Sequence, residues 1–208
     1  MIDLDKFAAT PLAKQPFGHL VVPQFIGSES MAELERDFPV VSKAGSFPVS
    51  ELSCGARFEE LLGELHGDAL RTAVEEKFGI DLAARPTMLT VRGHARSKDG
   101  RIHTDSKWKL VTLLVYMNRA WPHEGGNLRL LRSPKNLDDY FADIPPEYGT
   151  AVFFRCTENA WHGHTPYVGE RRAIQLNWVE DESWVRRERG RHRWSSKLKR
   201  IFSAAPTT

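Results

Sequence analysis

The sequence has little cysteine and no long apolar run, and both absences exclude whole classes of protein. Its 208 residues contain two cysteines, Cys54 and Cys156, too few for a disulfide-stapled secreted scaffold, so we expect a cytoplasmic location. No apolar stretch approaches the roughly 18–20 residues that cross a bilayer. The N-terminal residues 1–6 also lack the basic and then apolar order of a signal peptide. We therefore expect a soluble protein.

A large excess of charge of one sign is also missing. Lys and Arg total 29 and Asp and Glu total 27, which gives a net charge of +2. The charges are unevenly spread, because the chain from Glu182 onward has eight Lys or Arg and only two Glu. We keep two interpretations of this basic tail open. It completes the fold with a short helix capped by Ser195 or Ser196, or it contacts an anionic partner such as nucleic acid or a membrane surface.

The chain also lacks a convincing Ser/His/Asp or Cys/His arrangement for nucleophilic catalysis. Apolar residues make up 41% of the chain and charged residues 27%, an ordinary globular composition that can bury a real core. At this length we predict a single domain, 1–208. Its three parts are an N-terminal strand with helical support (1–86), a β core (87–180) and the basic C-terminal tail (181–208).

The first half of the N-terminal part is predicted to hold loops, one strand and one short helix. Residues 1–16 show no periodicity and contain two prolines, which indicates a loop or a loosely packed arm. Residues 17–22 form a short apolar run that is typical of a strand. Ser30 and Glu33 stand in the spacing of a capping box, which predicts a short helix that ends at Pro39.

Apolar residues recur at near-helical spacing from Ala56 to Phe78. Gly63 and Gly67 interrupt this pattern, so one bent helix and two consecutive helices both fit it. Gly79 is a natural helix stop. We expect these helices to pack against a sheet.

From Pro86 onward the pattern changes to short β runs separated by Gly and Pro. The predicted strands cover residues 87–93, 101–106, 109–118, 125–131, 150–155 and 171–179. Short strands preceded by helices predict an α+β chain, mainly β, whose core is an antiparallel sandwich or barrel.

His103 and Asp105 are two residues apart in the second of these strands, so extended backbone would direct both side chains to one face. A further imidazole follows at His162 or His164, which also share a face. We favour His162 because Arg171 stands nine residues after it. Two imidazoles and a carboxylate on one face of an octahedron suit Fe(II) and leave three positions for a chelating cosubstrate and O₂. This donor set favours a non-haem iron, 2-oxoglutarate-dependent oxygenase.

Alternation along the last strand divides its residues between two faces. Arg171 shares a small and polar face with Ala173, Gln175 and Asn177, which suits the wall of a cavity. Arg172 lies on the opposite face, among apolar residues. We therefore expect Arg171 to bind the distal carboxylate of 2-oxoglutarate through a bidentate charge-assisted pair, and Arg172 to reach solvent.

Four segments resemble, in order and rough spacing, the prolyl-4-hydroxylase-like branch of the 2-oxoglutarate/Fe(II) oxygenases. They are His103-Thr-Asp105, Thr112-Leu-Leu-Val-Tyr116-Met-Asn118, Gly125-Gly-Asn-Leu128-Arg-Leu130, and His162 with Arg171-Arg-Ala-Ile174. The resemblance covers about residues 87–180. It implies a double-stranded β-helix, or jelly-roll, with N-terminal supporting helices.

The same resemblance implies a role for each matching residue. His103, Asp105 and His162 would be the catalytic iron ligands, and Arg171 the residue that binds 2-oxoglutarate. The residues implied to complete the cosubstrate pocket are Thr112, Leu114, Tyr116 and Leu128. The implied cofactors are Fe(II) and the cosubstrate 2-oxoglutarate, and ascorbate is compatible with them. The implied activity is hydroxylation of a small-molecule or peptidyl substrate, with release of succinate and CO₂.

The residues themselves leave two other functions open. A cupin-like metal protein of different chemistry would use the metal ligands without Arg171, and a non-enzymatic binding module would act through the basic tail. The surroundings of the metal motif are polar and basic. Arg92, Arg96, Lys98 and Lys107 are either solvated loop charges or part of a site for an anionic or hydroxylated small molecule, which fits them as well as a peptidyl proline.

Overall fold

A computed structural model describes residues 1–187, and the nine strands within these residues form two antiparallel sheets. The strands are β1 (His19–Val22), β2 (Phe47–Pro48), β3 (Thr87–Ala95), β4 (Lys109–Tyr116), β5 (Leu128–Leu131), β6 (Tyr140–Ile144), β7 (Ala151–Arg155), β8 (His162–His164) and β9 (Gly169–Val179). The larger sheet has the order β1-β7-β4-β9-β3-β2 and the smaller one β6-β5-β8. The predicted double-stranded β-helix is confirmed.

Strand β9 lies between β3 and β4 in the larger sheet and pairs with both of them. Ala173 of β9 pairs with Arg92 of β3 on one side and with Tyr116 of β4 on the other. Further along β9, Asn177 pairs with Thr112 of β4. Because side chains alternate along a strand, these residues share one face of the sheet.

The opposite face of the larger sheet is covered by helices. They are α1 (Leu4–Ala9), α2 (Met31–Asp37), α3 (Ala56–His66) and α4 (Asp68–Phe78). The buried apolar core between helices and sheet includes Phe7, Leu34, Phe58, Leu61, Leu65, Leu70, Val74, Val91, Leu113, Ile174, Leu176 and Trp178. The expected packing of the helices against a sheet is therefore confirmed.

The segment from Ala56 to Phe78 forms two helices, one of the two arrangements that the sequence allowed. Gly67 separates them because its backbone is extended, with φ −69° and ψ 152°. Gly79 ends α4 in the left-handed conformation, with φ 61°, as predicted.

The prediction of a loop over residues 1–16 is wrong, because Leu4–Ala9 is helical. The Asp3 side chain accepts a hydrogen bond from the backbone N–H of Lys6 at 2.7 Å and so caps the helix. Phe7 is its only buried residue. A single buried position gives no periodicity, so the pattern could not reveal this helix.

Helix α2 begins near the predicted place, but its predicted capping box is absent. The Ser30 side chain makes no capping hydrogen bond. Ser30 ends a 3-10 turn, Ser28–Ser30, and has helical backbone angles, φ −88° and ψ −5°. An N-cap residue typically has extended backbone, which lets its side chain accept from the N–H groups two or three residues later. The backbone of Ser30 is not extended, so its side chain does not cap the helix.

The predicted strands 87–93, 109–118, 125–131, 150–155 and 171–179 are present with shifted ends. The strand predicted over 101–106 is wrong, and the local structure that replaces it is described with the metal centre. The very short β2 and the partly exposed β6 were not predicted.

No helix among residues 1–187 is long and apolar enough to cross a membrane. At the start of the tail, Trp184 stacks on Trp108 with ring centroids 5.4 Å apart. The helix predicted to be capped by Ser195 or Ser196 lies outside the described residues. The division into a single domain with three parts stays a prediction.

Candidate metal centre and its cavity

The side chains of His103, Asp105 and His162 meet in a cavity between the two sheets. Each offers one ligand atom, and these atoms all lie within 4.8 Å of one another. The donor set of two imidazoles and one carboxylate fits a metal ion. Bound metal would draw the three atoms closer together, because two ligands about 2.1 Å from one ion are at most about 4.2 Å apart. The backbone joins the two histidines, since the N–H of each donates to the carbonyl oxygen of the other at 2.9 Å.

The segment that carries His103 and Asp105 is a loop with one isolated bridge at His103, rather than the predicted strand. Gly100, with φ 81°, turns the chain before it. After it the chain turns again, as the N–H of Lys109 donates to the Ser106 carbonyl at 2.9 Å. Between these two turns the only residue that forms a β-bridge is His103, which pairs with His162.

Both imidazoles of the group are held so that Nε2 is available to a metal ion. The Nδ1 atom of His103 lies 2.8 Å from the Arg101 carbonyl oxygen, and that of His162 lies 3.0 Å from the Ala160 carbonyl oxygen. A carbonyl oxygen only accepts, so each Nδ1 donates and each Nε2 keeps its lone pair. Burial and then the charge of His103 lower the pKa of His162 to about 4. The His162 ring is therefore neutral at pH 7, as a metal ligand must be.

Asp105 is held as an ionised carboxylate. Lys109 Nζ lies 2.9 Å from its Oδ1, and the Thr112 hydroxyl donates to its Oδ2. Asn177 Nδ2 donates in turn to Thr112 Oγ1 at 2.7 Å. Burial acts to raise the pKa of Asp105, but the charges of Lys109 and His162 and the Thr112 hydrogen bond outweigh it and hold this pKa well below its usual range.

Arg171 is a buried cation in the same cavity, with 7% of its surface exposed. Its Nε donates to the Gly126 carbonyl at 2.8 Å, and its Nη2 lies 3.5 Å from the Tyr116 hydroxyl. None of the ion pairs within residues 1–187 includes Arg171, whereas Arg172 on the opposite face pairs with Glu170 at 3.1 Å. Because a buried charge is stable only with a partner, an anionic ligand suits Arg171.

Gly126 and Tyr116 complete the surroundings of Arg171. Gly126 has φ 84°, and a Cβ there would lie 2.7 Å from the Trp121 ring, so glycine is required. Tyr116 is fully buried, which raises the pKa of its hydroxyl, although the charge of Arg171 partly opposes this. The hydroxyl is therefore protonated at pH 7 and can donate to a carboxylate.

All eight residues proposed from the sequence line one cavity of about 260 Å³. The polar members are His103, Asp105, Thr112, Tyr116, His162 and Arg171, and the apolar ones are Leu114 and Leu128. His164 also lines the cavity but does not belong to the three-residue group, and its Nδ1 donates to the Thr165 carbonyl at 2.8 Å.

Lys109 is a site residue that the sequence reasoning missed. It stands at the start of an apolar strand, and only its place four residues after Asp105 hinted at a contact. Of the basic residues noted around the motif, Arg96 pairs with Asp99 at 3.0 Å and Lys107 with Glu158 at 2.8 Å, both at the surface. Arg92 differs from them because it lines the cavity.

Comparison with known proteins agrees with this geometry. Residues 91–180, which contain all eight site residues, match the family described as the 2OG-Fe(II) oxygenase superfamily. No curated protein sequence matches the chain at a significant level.

Solved structures share the fold. A Pseudomonas putida prolyl-4-hydroxylase is 20% identical with a TM-score of 0.56, over 86% of this chain and 97% of the other. A Burkholderia pseudomallei oxidoreductase of the 2OG-Fe(II) oxygenase family is 16% identical with a TM-score of 0.53, over 85% and 90%. HygX from Streptomyces hygroscopicus, solved with nickel and 2-oxoglutarate bound, is 16% identical with a TM-score of 0.50, over 79% and 82%.

Residues 91–180 therefore belong to the 2OG-Fe(II) oxygenase superfamily. The chain is an oxidoreductase that uses Fe(II) and 2-oxoglutarate, which confirms the predicted family, enzyme class and these two cofactors. Ascorbate stays a prediction.

Proposed function

We propose that the chain is a dioxygenase that hydroxylates its substrate and releases succinate and CO₂, with Fe(II) bound by Nε2 of His103, Nε2 of His162 and the Asp105 carboxylate. The observation that carries this proposal is the closeness of the three ligand atoms, within 4.8 Å of one another, in the cavity that contains Arg171. Bound Fe(II) supplies the activation of O₂, coupled to decarboxylation of 2-oxoglutarate. Two imidazoles and one carboxylate leave three positions for that chemistry.

Arg171 and Tyr116 are proposed to bind the distal carboxylate of 2-oxoglutarate. The bond from Nε to the Gly126 carbonyl fixes the plane of the guanidinium and leaves its two terminal nitrogens for the ligand. The Tyr116 hydroxyl, 3.5 Å from Nη2, can donate to the same carboxylate. Such charge-assisted bonds are roughly twice as strong as bonds between neutral groups.

The other residues of the cavity orient the ligands and exclude water. Thr112 fixes one oxygen of Asp105 and is itself fixed by Asn177, so the carboxylate does not rotate freely. The apolar side chains of Leu114 and Leu128 line the cavity and keep it dry around the cosubstrate. A dry cavity strengthens the electrostatic contacts inside it.

An anaerobic titration tests this proposal. Fe(II) and 2-oxoglutarate together should give the wild-type protein a weak visible charge-transfer band, which reports cosubstrate chelated to iron. His103→Ala and Asp105→Ala should lack the band, while His123→Ala, which removes an exposed imidazole outside the cavity, should keep it. A wild type without the band, or His103→Ala with unchanged metal content and succinate formation, would overturn the proposal.

A cupin-like metal protein of other chemistry is the second candidate. It would share the three metal ligands but would have no use for a cation buried in the same cavity. The burial of Arg171 without a carboxylate partner among residues 1–187 therefore favours the oxygenase.

We also propose that the basic tail contacts an anionic partner. Its eight Lys and Arg against two Glu support this. Deletion of residues 188–208 would keep Trp184, which stacks on Trp108. The full chain should bind nucleic acid or anionic vesicles more weakly as salt rises, and the deletion should not bind. Equal binding by both proteins would contradict the proposal.

A cytoplasmic location is proposed from the two cysteines, Cys54 and Cys156, which are both free. Cell fractionation with antibody detection tests it, and recovery of the protein in a secreted fraction would contradict it.

A further inference from the structure

A second guanidinium in the cavity has no role in the function proposed above. Arg92 lies on β3, directly across from Ala173 of β9, and Ala173 is flanked on its other side by Tyr116. Arg171 stands two residues before Ala173, so it is a diagonal neighbour of Arg92 on the same face, next to the register shift between Arg92 and His94. Because Ala173 is small, both guanidiniums have room in the same cavity.

Arg92 has no counter-ion in the described part of the chain. The charges of Asp99 and Asp105 raise the pKa of Arg92, but neither carboxylate forms an ion pair with it. Asp99 pairs with Arg96 instead, and Asp105 pairs with Lys109. Burial, and then the like charge of Arg171, lower the pKa of Arg92. Two cations that repel each other in one cavity are expected to bind more than one anionic group.

The cosubstrate accounts for only one of these cations. 2-Oxoglutarate has two carboxylates: one would bind at the iron held by His103, Asp105 and His162, and the other is assigned to Arg171, so the molecule has no third anionic group for Arg92. Arg92 is half-buried, whereas Arg171 is only 7% exposed, so Arg92 is the more accessible of the two. Polar neighbours on the cavity wall, among them Ser46 and His164, suit a polar molecule that enters after the cosubstrate.

We propose that Arg92 binds an oxyanion of the primary substrate, a carboxylate or a phosphate, and that the enzyme therefore acts on an acidic molecule. A planar guanidinium pairs with either group through two parallel hydrogen bonds. The inference rests on the proposed function, since it assigns Arg171 to 2-oxoglutarate.

The test uses the full-length protein as its anaerobic complex with Fe(II) and 2-oxoglutarate. Acetate is the carboxylate probe and methyl phosphate the phosphate probe, both at constant ionic strength. Wild type should bind at least one probe saturably in the millimolar range, seen as a change in the charge-transfer band, and the probe that binds identifies the kind of oxyanion.

Three variants decide the role of Arg92. Arg92→Met should weaken probe binding roughly tenfold or more and change the Kd of 2-oxoglutarate less than about threefold, because only the second anion loses its partner. Arg92→Lys should retain part of the probe binding. Arg96→Met is the matched control, since Arg96 is exposed and paired with Asp99, and it should behave as wild type.

The outcomes separate this inference from the proposed function. If the complex forms but neither probe binds, or if Arg92→Met binds the probe as wild type does, the inference is wrong and the proposed function stands. If Arg92→Met loses 2-oxoglutarate as severely as an Arg171 variant does, Arg92 binds the cosubstrate and the assignment to the primary substrate is wrong. If no complex forms in the wild type, both are wrong.

Discussion

Replacing Arg171 with Met is the sharpest test of how the cavity holds its cosubstrate. The change removes the guanidinium and keeps a side chain of similar length. Arg172→Met is the matched control, because Arg172 is the adjacent residue on the opposite face of β9 and pairs with Glu170. Both variants lose one positive charge, so any difference between them reports position and not net charge.

The size of the effect follows from what Arg171 contacts. Loss of one partner of a buried charge pair costs about 2–5 kcal/mol, and the Tyr116 hydroxyl remains to donate one bond, so we take about 3 kcal/mol for the cosubstrate. This corresponds to a roughly 150-fold increase in the Kd of 2-oxoglutarate. The fold loses the hydrogen bond to the Gly126 carbonyl but also a cation that repels Arg92. The free energy of unfolding should therefore stay within about 1 kcal/mol of wild type.

Anaerobic titration of the Fe(II) protein with 2-oxoglutarate, followed by the charge-transfer band, measures the Kd of each variant. Urea unfolding of the same samples checks that the fold is intact. Arg172→Met should bind 2-oxoglutarate as wild type does. If Arg171→Met and Arg172→Met have the same Kd, Arg171 does not bind the cosubstrate and the reasoning from burial is refuted.

Three further predictions concern the metal ligands and the glycine beside Arg171. Thr112→Val removes the hydroxyl that fixes Asp105, so it should weaken Fe(II) binding about 10–100-fold in a metal titration. Thr90→Val makes the same change elsewhere on the cavity wall and should leave Fe(II) binding unchanged. In metal-free protein, unfolded His162 takes up a proton near its ordinary pKa of 6.5 but the folded residue only near 4, so His162 alone should lower the free energy of unfolding by roughly 3 kcal/mol as pH falls between these values. The pKa of His164 is also lowered to about 4, so urea unfolding of wild type should show a larger fall than urea unfolding of His162→Gln. Gly126→Ala should lower the free energy of unfolding by about 1–3 kcal/mol, because the position has φ 84° and the new Cβ would meet the Trp121 ring. The control is Gly63→Ala in helix α3, where the new Cβ meets open space, so this change should be neutral or stabilising.

Each of these three has a clear contrary result. Equal Fe(II) affinity in Thr112→Val and Thr90→Val would mean that the hydroxyl does not orient Asp105. An equal fall in wild type and His162→Gln between pH 6.5 and 4 would mean that His162 is not buried as a neutral ring. Equal stability of Gly126→Ala and Gly63→Ala would mean that the turn tolerates a side chain.

The parts of the site that the sequence predicted are those that depend on the alternation of side chains between the two faces of one strand. Arg171 was assigned to the cavity face of β9 because its neighbours two and four residues on are small or polar, and the structure places it on the cavity wall. The same alternation separated it from Arg172. The β core was predictable for the same reason, since β4 and β9 are long and rich in branched residues.

The parts that the sequence did not predict depend on contacts between distant segments. His103 and Asp105 were expected on a strand, but they lie in a loop pinned by a single bridge to His162, and no local pattern encodes that bridge. Lys109 looks like an ordinary strand residue until the turn at Ser106 brings it to Asp105. Helix α1 was missed because only Phe7 is buried in it.

A crystal structure of the protein with Fe(II) and 2-oxoglutarate, grown without oxygen, tests the central claim most directly. It should show one iron bound by Nε2 of His103, Nε2 of His162 and the Asp105 carboxylate, with the distal carboxylate of 2-oxoglutarate on the Arg171 guanidinium. Iron bound elsewhere, or a cosubstrate that does not reach Arg171, would contradict the account.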